Sequence, residues 1–226
     1  MRSVLMYVGA IVFAALLLCC KPSLGQEKKE KRPCTPVSER TKEVGCWILA
    51  NEPIGQLTKT PVYWYLDTYE NRAAAEADKG PHGTVLESLG QIWLMTIDAP
   101  GQKPPTKGKR VSEIGPLAIN AGEKHSVQYM EAIFTPGMTA SAHVHGGPEA
   151  WYTLAGESCL ETSDGQVQVG RAGGPPVIVP AGLTMHLTAT GTEKRKSLVL
   201  ILYESSKPVT TFMNDWTPKG LCNKKE

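Results

Sequence analysis

The sequence lacks a surplus of charge of either sign, because 24 Lys and Arg residues stand against 22 Asp and Glu residues. The basic residues are scattered. The small clusters at residues 28–32 and 194–196 are typical of a solvated tail and of a charged turn. A protein with this charge distribution is not expected to bind nucleic acid.

Several sequence signatures of common sites are also missing. The chain has no CxxC pair, no glycine-rich phosphate loop, and no pattern typical of a Ser/His/Asp or Cys/His catalytic centre. It shows no internal repeat with the period of a solenoid. These absences argue against a cysteine-based metal clip, a P-loop nucleotide site and a repeat architecture.

A hydrophobic run long enough to cross a membrane is lacking as well. The apolar stretch at residues 4–18 falls short of the roughly 20 residues that a spanning helix needs. Arg2 precedes this stretch, and small residues at positions 23 and 25 follow it. This pattern predicts a signal peptide over residues 1–25 and an exported protein, periplasmic or secreted, with no stable membrane span after cleavage.

Cys19 and Cys20 offer lipid anchoring as an alternative. The bulky Leu18 disfavours it, because a small residue is expected before a lipidated cysteine.

Four cysteines follow the predicted cleavage site: Cys34, Cys46, Cys159 and Cys222. An even number of cysteines in an oxidising compartment predicts two disulfides. The sequence leaves all three pairings open, and free buried thiols remain the alternative.

Changes in composition predict how the remaining chain is organised. Residues 26–44 are polar and are expected to be mobile, and residues 214–226 form a C-terminal tail. Residues 45–98 combine strand-like runs with one short helix, so they are expected to add strands to the next domain or to form an α+β layer against it. Residues 99–110 are rich in Pro, Gly and Lys and predict a linker loop. In residues 111–213, many short β-like runs between turns predict a mainly β sandwich or barrel.

A candidate metal site lies in the segment HVHGGPE. Alternate side chains of a strand share one face, so His143 and His145 are expected to point the same way. The turn Gly146-Gly147-Pro148 then brings Glu149 beside them. Two imidazoles and one carboxylate can occupy one side of a metal ion and leave other positions open. His186 is the predicted fourth ligand, supplied by a strand distant in sequence.

The same segment resembles the first conserved motif of the cupin superfamily. That motif consists of a glycine, five residues, His-x-His, three or four residues, a glutamate, six residues and a glycine. The five matching positions in this chain are Gly137, His143, His145, Glu149 and Gly156.

The second cupin motif is matched less completely. Gly174, Pro180 and Gly182 fit it, but Met185 stands where the motif has histidine, and His186 follows one residue late. A shift of one residue along a strand turns a side chain to the other face, unless the preceding turn absorbs it.

The resemblance implies a single-domain jelly-roll β-barrel with one divalent metal ion: Mn, Fe, Cu, Zn or Ni. Outside the cytosol, Cu(II) and Zn(II) compete strongly for such sites, whereas Fe(II) is weakly held. Cupins often dimerise, so the resemblance also implies a homodimer.

Four residues are candidates for lining a pocket for a small-molecule ligand or substrate: Trp151, Thr153, Gln128 and Met138. Trp151 and Thr153 share the face of Glu149 by alternation. Met138 flanks the ligand strand, and the sequence leaves open which face of the Gln128 strand is turned inward. Glu131, on the strand that carries Gln128, is expected at the surface.

Metal binding is compatible with three classes of function, and the sequence leaves open whether the protein is an enzyme. The first is a metal-dependent oxidase or dioxygenase acting on a small organic substrate. The second is a non-catalytic envelope protein that binds a metal or a small ligand. The third is an isomerase or lyase that uses the metal as a Lewis acid.

Overall fold

The structure is a computed structural model that describes residues 34–223. The predicted signal peptide (1–25), the alternative anchor at Cys19 or Cys20 and the first part of the polar segment 26–44 lie outside these residues, as do residues 224–226.

Within the described residues the chain is built almost entirely of β-strands. One α-helix, α1 (Arg72–Asp78), and two short 3-10 turns, Val37–Glu39 and Leu221–Asn223, complete the structure. The strands in chain order are β1 (Thr35–Pro36), β2 (Gly45–Gln56), β3 (Val62–Tyr69), β4 (Gly83–Ser88), β5 (Gln91–Asp98), β6 (Lys109–Leu117), β7 (Lys124–Phe134), β8 (Thr139–His145), β9 (Glu149–Ala155), β10 (Glu157–Thr162), β11 (Val167–Arg171), β12 (Val177–Val179), β13 (Met185–Thr190), β14 (Arg195–Glu204) and β15 (Thr210–Phe212).

These strands form three sheets. The central sheet has the order β1-β2-β7-β14-β9-β12, the front sheet β11-β10-β13-β8-β15, and the back sheet β4-β5-β3-β6. All pairs are antiparallel except β1 with β2.

The central sheet is buried on both faces, which explains why β7 and β14 are almost continuously buried rather than alternating. On one face, Met130, Trp151 and Val199 pack against front-sheet residues such as Leu160 and Leu187. The central and front sheets together form the jelly-roll barrel that the resemblance implies, and the prediction of a mainly β fold is confirmed.

The other face of the central sheet packs against the back sheet. Tyr129 and Leu200 meet Trp64, Trp93 and Ile114 in a second apolar core. Helix α1 covers the outer side of the back sheet, where Ala75 packs in a small cluster with Leu94. Asn71 caps this helix by accepting a hydrogen bond from the backbone N–H of Ala74 (2.9 Å).

The region 45–98 contributes to two sheets. β2 pairs with β7 from Gly45 to Gln56, and β3, β4 and β5 form the back sheet together with β6, which lies beyond this region. The segment 51–56 forms the second half of β2, although its Asn, Pro and Gly favour a turn. Its pairing along β7 overrides the local turn preference.

Two disulfides are present, as the even number of cysteines predicts, and the structure resolves the pairing as Cys34–Cys46 and Cys159–Cys222. The first fastens residues 34–44 to β2. The second fastens the C-terminal segment to β10, whose Glu161 accepts backbone hydrogen bonds from Lys219 and Leu221. Among residues 34–223, no helix is long and apolar enough to cross a membrane.

Candidate metal centre

Both histidines of the HVH segment point into the barrel from β8. His143 and His145 are 7 % and 6 % exposed, and their ring centroids lie 4.7 Å apart. The pairing of β8 with β13 shifts by one residue between Ala140 and His143, which marks a β-bulge. A bulge of this kind re-aims the side chains that follow it, so Ala140 and His143 both line the barrel interior.

Backbone carbonyls determine which nitrogen of each ring faces the interior. Nδ1 of His143 lies 2.6 Å from the carbonyl oxygen of Ser141, and Nδ1 of His145 lies 2.8 Å from that of Val209. Since a carbonyl only accepts, each Nδ1 carries the proton and donates it. Each Nε2 is left with a free lone pair, as in metal-binding histidines held by a backbone partner.

Glu149 reaches the same point from the central sheet. It is the first residue of β9, and its Oε2 lies 3.6 Å from Nε2 of His145. The ligand atoms of His143, His145 and Glu149 all lie within 4.8 Å of one another. Ligands about 2.0–2.2 Å from a shared ion are roughly 3–4 Å apart, so small side-chain movements suffice to close this group around a metal.

Burial puts the histidines in the protonation state that a metal requires. It lowers the pKa of His143 and lowers that of His145 to about 4, so both imidazoles are neutral at neutral pH. Burial also raises the pKa of Glu149 to about 7, against the opposing effects of His143 and Arg195. Nε2 of His145 is buried and has no hydrogen-bond partner in the described part of the chain. Such an orphaned acceptor beside a carboxylate fits a bound cation.

His186 is not brought to this group. It follows Met185 on β13, and it is Met185 that stands opposite His143 and lines the cavity. His186 lies on the outer face of the front sheet, opposite Glu161 in register and half-buried. Burial lowers its pKa, and the charge of Glu161 opposes that shift. The late histidine of the second motif is therefore turned outward, as a one-residue shift on a strand dictates.

The cavity beside the three residues has a volume of about 70 Å³. Of the residues predicted to line it, Gln128 and Trp151 do so. Thr153 is buried further along β9, where it accepts a hydrogen bond from the hydroxyl of Ser197 (3.3 Å). Met138 packs at the margin of the barrel core instead, with its sulfur 3.4 Å from the backbone nitrogen of Thr135.

Arg195 is the functional candidate that sequence reasoning missed. Interpreted as part of a charged turn, it is instead the first residue of β14 and only 2 % exposed, and its side chain lines the cavity. Its Cζ lies 5.5 Å from the ring centroid of Trp151 and 5.8 Å from that of Phe134. Burial lowers its pKa to about 10, which leaves it charged at neutral pH. The signal available in the sequence was strand alternation: Arg195, Ser197 and Val199 fall on the same face of one strand, so an inward Val199 predicts an inward Arg195.

Glu131 also differs from its expected surface position. It is 3 % exposed on the face of β7 turned to the back sheet. It accepts hydrogen bonds from Arg40 (2.7 Å) and Ser88 (2.6 Å). Glu131 therefore connects β7 to the N-terminal segment and to the back sheet. The face of β7 that lines the cavity carries Gln128 and Met130 instead.

No known protein-family profile matches the chain, and no curated protein sequence matches it. Similar solved structures do exist. A cupin superfamily protein from Desulfitobacterium hafniense shares 19 % identity over 39 % of this chain and 74 % of its own, with a TM-score of 0.31. A DMSP lyase from Ruegeria pomeroyi shares 21 % identity over 42 % of this chain and 45 % of its own, with a TM-score of 0.34.

An oxalate oxidase in complex with glycolate shares 23 % identity over 39 % of this chain and 46 % of its own, with a TM-score of 0.32. This chain therefore spans less than half the length of the two enzymes it matches. Of the structural neighbours, the protein from Desulfitobacterium hafniense is described as a cupin superfamily protein and one from Thermotoga maritima as a cupin-like protein.

Proposed function

We propose that the protein is a metal-dependent cupin that holds one divalent ion in the barrel through Nε2 of His143, Nε2 of His145 and the carboxylate of Glu149. The observation that carries this proposal is the buried Nε2 of His145. It has no hydrogen-bond partner and lies 3.6 Å from Oε2 of Glu149. A set of two histidines and one carboxylate suits Fe, Mn, Ni, Cu and Zn, and leaves coordination positions open.

The proposed activity is oxidation of a small organic substrate with dioxygen. A bound ion of this kind supplies a Lewis acid and, where it is redox-active, a site for oxygen. The chain's own residues contribute a buried cavity and two histidines held in one tautomer by Ser141 and Val209. They also contribute apolar walls, formed by Met130, Trp151 and other side chains, that keep bulk water out.

Export into an oxidising compartment belongs to the same proposal. The two disulfides support it, because such bonds persist mainly in secreted and periplasmic proteins. In that setting we expect Cu(II) or Zn(II) to compete best for the site. A homodimer, implied by the cupin resemblance, is tested by measuring the mass of the purified protein in solution.

Metal content after reconstitution tests the site. The purified protein is stripped with a chelator, incubated with each candidate ion in turn and analysed for bound metal. We expect about one ion per chain in the wild type and none in the double variant His143→Ala/His145→Ala. The variant His82→Ala, which changes a histidine outside the barrel core, is the matched control and should retain the ion. Absence of metal from the wild type with every ion would refute the proposal.

Turnover assays then separate the three classes of function. Oxygen uptake by the metal-loaded protein with phenols, thiols and dicarboxylates supports an oxidase or dioxygenase. Substrate conversion without oxygen supports an isomerase or lyase instead. Stable metal binding with no conversion in either assay supports the non-catalytic binding protein.

A further inference from the structure

Arg195 is a buried cation without a partner of opposite charge in hydrogen-bond contact. It is 2 % exposed, and its Nε has no hydrogen-bond partner among the residues that the structure describes. Among residues 34–223, no salt bridge involves it. Its neighbours are the rings of Trp151 and Phe134, which offset only part of the cost of taking an arginine out of water. A charge kept in this state is a candidate for a functional contact.

The cavity that Arg195 enters is the one beside the metal centre. Arg195 and Glu149 both line it. Glu149 on β9 pairs with Ile201 of β14, and Arg195 lies six residues before Ile201 on that strand. The guanidinium lies over the ring of Trp151. Trp151 is two residues after Glu149 on β9, so the two side chains are neighbours on the same face of that strand. Same-face neighbours on a strand are on the order of 7 Å apart. The cavity thus has two polar ends separated by apolar walls that include Met130 and Val199.

Charge in the metal-loaded cavity would be unbalanced. Bound histidines are neutral, so a divalent ion and Arg195 together face the single negative charge of Glu149. The two remaining positive charges are buried, and within residues 34–223 no other acidic side chain lines the cavity. A dianion compensates them, whereas a neutral substrate or a sugar does not. The volume of about 70 Å³ restricts that dianion to a small molecule.

We propose that the barrel binds a small dicarboxylate, with one carboxylate held by Arg195 and the other end directed to the metal centre; this rests on the proposed function. The guanidinium presents parallel N–H donors that match a carboxylate. The cavity volume of about 70 Å³ favours the short members of the dicarboxylate series and disfavours glutarate and adipate.

The test is calorimetric titration of the metal-loaded protein with oxalate, malonate, succinate, glutarate and adipate. Acetate and the monoamide of succinate serve as probes with one charge fewer. We expect binding to weaken from succinate to adipate, because the longer chains exceed the cavity. The monoamide should bind at least about tenfold more weakly than succinate, because it loses a charge-assisted contact. An affinity for succinate no greater than that for acetate would overturn the proposal, because the metal alone would then account for binding.

The variants Arg195→Met and Lys194→Met remove neighbouring charges from inside and outside the barrel. We expect Arg195→Met to keep its metal, to melt at the same or a higher temperature, and to bind succinate at least about tenfold more weakly. Lys194 is exposed and pairs with Glu43 at the surface, so Lys194→Met should bind as the wild type does. Wild-type affinity in Arg195→Met would overturn the assignment.

Arg195→Lys keeps the proposal testable if Arg195→Met does not fold. It retains the charge but loses the planar pair of donors, so an intermediate affinity is expected, and undiminished affinity counts against the proposal.

Metal analysis and titration of the metal-free protein separate this inference from the proposed function. Metal binding without Arg195-dependent anion binding refutes the inference alone. A protein that takes up no metal refutes the proposed function and, with it, the metal-directed end of this inference; Arg195-dependent binding of dicarboxylates to that protein would support the Arg195 contact alone.

Discussion

Met185 and His186 are adjacent on β13 and occupy opposite faces of the front sheet. Met185 faces the cavity opposite His143, and His186 faces Glu161 beneath the C-terminal segment. The side chain at the inward position is a thioether, a soft and weak ligand. The candidate centre therefore has three side chains that can act as strong ligands. The position of Met185 faces the same cavity and could carry a fourth.

Exchanging these two side chains should strengthen metal binding. In the variant Met185→His/His186→Met, an imidazole faces the cavity, and we expect the affinity for Zn(II) to rise by about tenfold, or about 1.4 kcal/mol. Competition with a chromophoric chelator measures this change. The control His186→Ala should bind as tightly as the wild type, and loss of metal from that control would contradict the outward position of His186.

The turn between β8 and β9 sets the position of Glu149 relative to the histidines. A Cβ on Gly147 would overlap the carbonyl oxygen of Leu202, and the carbonyl of the next residue, Pro148, accepts a hydrogen bond from the N–H of Leu202 (3.0 Å). The turn therefore lies flat against β14. Only a glycine allows the two backbones to approach this closely.

Replacing Gly147 with alanine should disturb both stability and metal binding. The neighbour is backbone and cannot move aside, so we expect Gly147→Ala to lower the free energy of unfolding by about 1–3 kcal/mol. Denaturant unfolding checks this, and metal titration of the folded fraction should show weaker binding. Gly80→Ala, where a Cβ meets nothing within 4 Å, is the control and should change neither quantity. A fully stable Gly147→Ala protein would refute the close approach.

Local sequence patterns predict most strands and the His143/His145 pair. They do not predict the bulges and strand pairings that determine which face of a sheet a side chain occupies. Alternation and turn residues are sufficient to predict HVH on one strand and Glu149 on the next. The bulge before His143 depends on the pairing of β8 with β13, which no local pattern encodes. Arg195 was misread for a related reason, because a charged triplet normally marks a surface, and only the continuation of β14 reveals its inward face.

At the scale of the whole molecule, contacts distant in sequence join the layers. Glu131 accepts hydrogen bonds from Arg40 of the N-terminal segment and from Ser88 of the back sheet. β2 pairs with β7, about 80 residues later in the chain, and this pairing places Cys46 on the barrel interior. Such pairings carry no signal in composition, which is why the sequence left the role of residues 45–98 open between two arrangements.

The two disulfides have different places in this architecture. Cys34–Cys46 lines the cavity and closes a short loop, with a sequence separation of 12. Cys159–Cys222 lies on the outer face of the front sheet and spans a separation of 63. Loop entropy alone predicts that removing them costs about 3 and about 4 kcal/mol respectively. The longer bond should therefore matter more for stability, and the shorter one for access to the cavity.

Paired alanine variants separate these two effects. We expect Cys34→Ala/Cys46→Ala to lose its metal to a chelator faster than the wild type, because residues 34–36 no longer hold against the cavity wall. Cys159→Ala/Cys222→Ala should be destabilised more in denaturant unfolding, yet release metal at the wild-type rate, since that bond does not touch the cavity. Stopped-flow metal release from folded protein measures the first quantity. Equal release rates in the two variants would show that the N-terminal segment does not restrict access, and would leave the barrel walls alone as the barrier around His143, His145 and Glu149.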